Sequence, residues 1–90
     1  MDKTAKPNRK SENLSTREVN GDLLVVDQDT NKIHQLNATA QFVWQQCDGE
    51  TTIATISQKL SDEFEISIDQ ALGDTATLLD TLSAEKLIFI

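Results

Sequence analysis

The stretch Lys32–Gly49, KIHQLNATAQFVWQQCDG, passes from one kind of structure to another within eighteen residues. Lys32 to Leu36 reads as a strand. Asn37 is a good N-cap, because its side-chain oxygen can accept from the free amides of a first helical turn. Beyond it, Ala40, Val43, Trp44 and Cys47 fall at i, i+3, i+4 and i+7, with Ala38 and Phe42 beside them. That spacing belongs to an amphipathic helix with a wide buried face, and Gly49 ends it. The residues before this stretch read as strands and those after it as helices.

Upstream, Ser15 to Val19 is a strand. Asn20-Gly21 is a two-residue hairpin signal, because both central positions of the turn need φ > 0. Asp22 to Val26 returns. Its run Leu23-Leu24-Val25-Val26 is apolar without alternation, as in a strand covered on both faces, or covered on one and partly shielded on the other. The polar turn Asp27–Asn31 leads into Lys32–Leu36. The result is an antiparallel meander in which the first and third strands each keep a free edge.

Downstream, Thr51 or Thr52 caps a second helix, in which Ile53, Ile56, Leu60 and Phe64 repeat at helical spacing. Ser67 with Gln70 forms a capping box for a third helix, expected from Ile68 to about Lys86. This helix carries more apolar surface than one stripe needs. Leu72, Ala76, Leu79 and Ser83 mark one row, and Ala71, Thr75, Leu78 and Leu82 mark another. One row enters the core, and the other lines a groove or widens the core contact. The chain closes on Leu87-Ile88-Phe89-Ile90, an apolar segment expected to tuck against the fold.

Ninety residues make one domain. Residues 1–13 hold six charges, one Pro and no large apolar side chain except Met1, so they read as a disordered tail preceding a domain at 14–90. The formal net charge is −7. From Leu14 onward only Arg17, Lys32, Lys59 and Lys86 face thirteen carboxylates. Such a surface repels phosphate backbones and argues against nucleic-acid binding. The four cations of the tail read as solubilising. One cysteine excludes a disulfide within the chain, and with no secretory signal and no apolar run near the ~20 residues of a membrane span, a cytoplasmic location is expected.

No catalytic constellation is present, and no enzyme activity is expected. His34 has no partner at metal-ligand spacing and reads as structural or partner-contacting. Cys47, on the apolar helix face, reads as a small buried hydrophobe. Asp62, Glu63 and Glu65 read as a solvated helix-end cluster. The three glycines stand apart, so no phosphate loop exists. An acyl carrier needs an Asp-Ser attachment site, and there is none. A DNA-reading winged helix needs a basic recognition helix, whereas the third helix offers Asp69, Asp74, Asp80 and Glu85 before Lys86.

The pattern Leu36-Asn37-x-Thr39-Ala40-x-x-Val43-Trp44-x-x-x-Asp48-Gly49, followed by Thr52-Ile53-x-x-Ile56 and Leu60, resembles the PqqD-like family, the peptide-recognition elements of ribosomal-peptide modification systems. The resemblance runs over roughly Leu14 to Leu87. It implies an α+β, winged helix-turn-helix-like fold of three antiparallel strands followed by three helices. It also implies non-catalytic, cofactor-free binding of the leader segment of a precursor peptide. The leader is then presented to a modifying enzyme: a radical S-adenosylmethionine enzyme, a cyclase or a protease system. Pyrroloquinoline quinone synthesis is one such pathway among several. The leader would add as a fourth strand beside the third strand and against the third helix. Carried onto this chain, the contacts are Lys32, Ile33, His34, Gln35 and Leu36 on the strand. On the helix they are Ala71, Thr75, Leu78 and Leu82, with Asp74 at the rim. Ile33 and Gln35 share one strand face, and His34 and Leu36 share the other, with Leu36 expected to face the core. Two other readings use the same scaffold: a winged-helix transcription regulator, and a self-associating module that pairs its free edge into a dimer or swapped dimer.

Overall fold

The computed structural model describes residues 2–90. In order the elements are β1 (Asn8–Arg9), β2 (Leu14–Val19), β3 (Asp22–Asp27), β4 (Lys32–Leu36), α1 (Ala38–Gln46), α2 (Ile53–Phe64), α3 (Ile68–Ala84) and β5 (Ile88–Phe89). The strands β2–β3–β4 form the expected antiparallel meander, and β1 pairs with β5 in a separate two-stranded ladder. Asn20 and Gly21 take φ of 53° and 85°, which makes the tight turn between β2 and β3.

The unalternating run of β3 has a direct explanation. Leu23, Val25 and Asp27 are buried against the helices, while Leu24 and Val26 on the other face are half-buried. One face is core and the other is partly shielded by neighbouring side chains of the sheet.

Each helix begins where its cap residue stands. Asn37 Oδ1 accepts from the Ala40 amide at 2.9 Å, Thr52 Oγ1 from Thr55 at 3.2 Å, and Ser67 Oγ from Gln70 at 3.1 Å. Helix α1 ends earlier than Gly49, with Cys47 as its C-cap. Gly49, at φ +79°, shapes the turn that follows. Helix α3 ends at Ala84, two residues short of the expected Lys86, and Lys86 itself takes φ 59° to turn the chain into β5.

The core joins Val25 and Leu36 of the sheet to Val43 and Trp44 of α1, Ile56 and Leu60 of α2, and Leu79 and Leu82 of α3, closed by Leu87 and Ile88. The Trp44 indole N–H donates to the Leu87 carbonyl at 3.1 Å, which fixes the C-terminal segment. Cys47 is fully buried, and its Sγ donates to the Val43 carbonyl at 3.2 Å. Burial pushes its thiol up to about 12. Native protein at pH 8 is therefore expected to leave Cys47 unlabelled by iodoacetamide, with labelling appearing only in denaturant. Rapid native labelling would contradict this packing.

The expected tail is corrected by the structure. Met1 lies outside the described residues. From residue 2 on, the segment is laid across the fold and held mainly through its backbone. The carbonyls of Lys3 and Ala5 accept from the Ala54 and Ile53 amides, donors that the first turn of α2 leaves free. Pro7 is buried and its carbonyl accepts from Gly49. Asn8 and Arg9 pair with Phe89 and Ile88. The Lys10 ammonium bridges Asp27 at 2.9 Å and Asp29 at 2.7 Å. Composition misses these contacts because they use peptide groups rather than apolar side chains.

Candidate functional site

The free edge of β4 can be resolved residue by residue. Val19 and Asp22 close a two-residue turn, so they exchange hydrogen bonds with each other, and pairing alternates from there. Asp22, Leu24 and Val26 therefore turn their peptide groups toward β2, and Leu23, Val25 and Asp27 turn theirs toward β4. The partners of the latter on β4 are Leu36, His34 and Lys32. The N–H and C=O of Ile33 and Gln35 then point away from the sheet, and among the described residues no strand meets them. The side chains follow the opposite parity. Leu36 is 4% exposed and faces the helices with His34, whereas Ile33 is 67% exposed. Gln35 turns outward and donates to Asp22 Oδ2 at 2.6 Å.

Beside this edge runs a groove whose far wall is α3. A cavity of about 380 Å³ is floored by Leu36, Ala40, Leu78 and Leu82 and walled by Gln35, Thr81 and Glu85, with Asp22 at its mouth. A second hollow of about 310 Å³ shares Asn37 and Leu78 with it and continues to Thr39, Asp74 and Thr77. The wall residues Asp74, Thr77, Leu78, Thr81 and Glu85 form one helical stripe. From Asp74 to Glu85 the helix rises ~16 Å, the length of about five residues of extended chain. The groove is as long as β4 but is displaced toward its C-terminal end: Gln35 and Leu36 line the first hollow, and the second lies past the strand, beside Asn37 and Thr39.

The sequence-derived contacts divide accordingly. Ile33, Gln35, Leu36, Asp74 and Leu78 lie at the edge or in the groove. Ala71 and Thr75 do not: both are 0% exposed and belong to the core. Leu82, 1% exposed, is likewise core and reaches only the groove floor. Lys32 is exposed at the start of β4 and lines neither hollow. His34 lies beneath the edge, with Nδ1 3.1 Å from Glu85 Oε2, and so ties β4 to the end of α3. Sequence reading missed Thr77, Thr81 and Glu85 on the wall, Asn37 and Ala40 below, and Asp22 at the mouth. A stripe carried from Asp74 and Leu78 by seven residues reaches Thr81 and Glu85, so the signal was available.

The carboxylates of Asp22, Asp74 and Glu85 surround the groove, and among the described residues no Lys or Arg lines it. No three His, Cys, Asp or Glu side chains among those residues gather closely enough to hold a metal ion. Among the described residues no helix is long and apolar enough to cross a membrane. What the arrangement offers is two outward pairs of peptide groups, an apolar floor between them and α3, and an acidic rim. An extended peptide satisfies all three at once.

Comparison with known proteins supplies the context. The family model of coenzyme PQQ synthesis protein D (PqqD) matches residues 22–88. A solved lasso peptide synthetase B1, complexed with the leader peptide, is similar at a TM-score of 0.79 and 22% identity, covering 96% of this chain and 100% of that one. TbiB1, in complex with the TbiA(beta) leader peptide, is similar at 0.74 and 14% identity, covering 89% of this chain and 93% of that one. At these identities the two structures establish the fold: a three-stranded antiparallel sheet followed by three helices. No curated protein matches the sequence.

Proposed function

Because the chain belongs to the PqqD family, we propose that it binds the leader segment of a ribosomally made precursor peptide and presents it to a modifying enzyme. The leader lies as a fourth strand on β4, bonded to the peptide groups of Ile33 and Gln35, with alternate side chains seated against α3. The observation that carries this reading is the conjunction of an unpaired edge with a groove that opens beside its C-terminal half and continues along α3. Both structural neighbours are complexes with leader peptides, which supports the same reading. The protein supplies binding and positioning, and the chemistry belongs to its partner, which is a radical S-adenosylmethionine enzyme, a cyclase or a protease in systems of this kind.

The test is titration of the full chain with the leader of the short peptide encoded beside it. Micromolar or tighter binding is expected, with the largest amide shifts at Ile33 and Gln35. Shifts confined to another face would overturn the reading. Leu78→Asp is a second check. Leu78 is half-buried at the centre of the groove, where a charge meets the apolar side chain of the guest. Binding is expected to fall at least tenfold with the melting temperature little changed, because the substitution sits at the surface end of the floor. A duplex-DNA gel shift at low salt is expected to show no complex.

A further inference from the structure

We infer that the peptide taken by this groove is cationic at the two groove-facing positions that flank an apolar anchor, a basic–x–apolar–x–basic alternation. The inference rests on the leader-binding reading and adds to it the chemistry of the guest. In a strand laid on β4, every second side chain faces α3. The central one meets the apolar floor between Leu78 and Leu82. Along the helix axis, Glu85 stands about 7 Å to one side of that point and Asp74 about 9 Å to the other. The next groove-facing residues of the guest stand ~6.7 Å away in each direction. A Lys or Arg stem covers the remainder.

The carboxylates at both ends have no cation lining the groove with them among the described residues. Glu85 is held by His34, and its side chain is still 38% exposed. Asp74 is half-buried and forms no ion pair among the described residues. An acidic guest would meet like charge at each end, and a neutral one would leave both carboxylates facing its backbone. The alternation is symmetrical, so it holds whether the guest runs parallel or antiparallel to β4.

The experiment is selection of random decapeptides displayed on phage against the full chain, counter-selected on its folded Gln35→Pro variant so that only edge-dependent binders are kept. Lys or Arg should be enriched on both sides of an apolar position at two-residue spacing. A synthetic binder with both basic residues replaced by Gln should bind about tenfold or more weakly at low salt, since each pair at a partly exposed site is worth up to about fivefold. Selection on the Asp74→Lys/Glu85→Lys variant should turn the preference toward acidic residues. Edge-dependent peptides with no basic excess would overturn this inference and leave the leader reading standing. An absence of edge-dependent peptides would overturn both. A concentration-dependent dimer that Gln35→Pro dissolves would assign the groove to a second copy of the chain and overturn the inference.

Discussion

Gln35→Pro is expected to weaken leader binding by about a hundredfold and leave the fold standing. The Gln35 amide points away from the sheet by the alternation that starts at the Asn20-Gly21 turn, so proline removes no hydrogen bond of the β3–β4 ladder. It does remove a donor that the guest strand needs, and its ring fills the space the guest backbone would enter. One lost bond is worth roughly 1 kcal/mol, and a guest carbonyl left unpaired beside an apolar floor adds about 2 kcal/mol. Together they weaken binding by about a hundredfold. The neighbouring substitution gives the contrast. His34 faces Val25 in a bonded pair, so His34→Pro breaks the ladder and is expected to unfold the meander. Titration with the leader, together with circular dichroism of both variants, separates the two. Wild-type affinity in a folded Gln35→Pro protein would sink the edge-strand model.

That contrast shows what the sequence could and could not disclose. Turns and caps are local, and Asn20-Gly21, Asn37, Thr52 and Ser67 announce them through their own side chains and backbone preferences. The strand boundaries of Lys32–Leu36 were legible for the same reason. Which way β4 presents its side chains was legible only through the expectation that Leu36 faces the core, which its burial bears out. Parity depends on one long-range fact, that Leu36 is packed under the helices, and alternation then fixes the rest. The helix face misled in an instructive way. Ala71, Thr75 and Leu82 form an apolar row, and an apolar row shows that a face is buried without showing beneath what. They are buried by the chain's own core. The groove wall is a mostly polar stripe, with Leu78 the one apolar residue among Asp74, Thr77, Thr81 and Glu85, because a surface that waits for a partner must also tolerate water. The N-terminal segment was misread for a related reason. Composition measures what apolar side chains can bury, and this segment is held mostly by peptide groups, with the Lys10 ammonium and the Arg9 guanidinium beside them.

The ammonium of Lys10 carries the second large expectation. Asp27 stands on the core face of β3 with its side chain 1% exposed. Its Oδ1 accepts both from Lys10 Nζ at 2.9 Å and from the Asp29 amide at 2.9 Å, while Oδ2 is buried without a partner. The bond from Lys10 holds the Asp27 carboxyl below the usual carboxylate range, against the opposing pull of burial. Bonds to Asp29 and then Asp27 hold the Lys10 ammonium above its usual value. A lowered carboxylate contributes stability that is complete above its unfolded pKa near ~4 and is lost as pH falls through the folded value. A raised ammonium contributes stability that is complete below ~10.4 and is lost as pH rises through the folded value. The pair is therefore fully effective across neutral pH. Lys10→Met leaves Asp27 buried with no counter-charge and releases the segment that Lys10 pins, and a loss in melting temperature on the order of 10 °C is expected at pH 7. The loss should shrink as pH falls below ~4 and close only once pH is under the lowered wild-type value of Asp27, where the carboxyl is protonated in both proteins and the missing ammonium no longer matters. Lys10→Met/Asp27→Leu removes the stranded charge as well and should recover much of the loss. Thermal melts of the three proteins between acid and neutral pH decide the matter. If Lys10→Met melts with the wild type at every pH, the segment is held by its other contacts, and the ion pair is incidental to the fold.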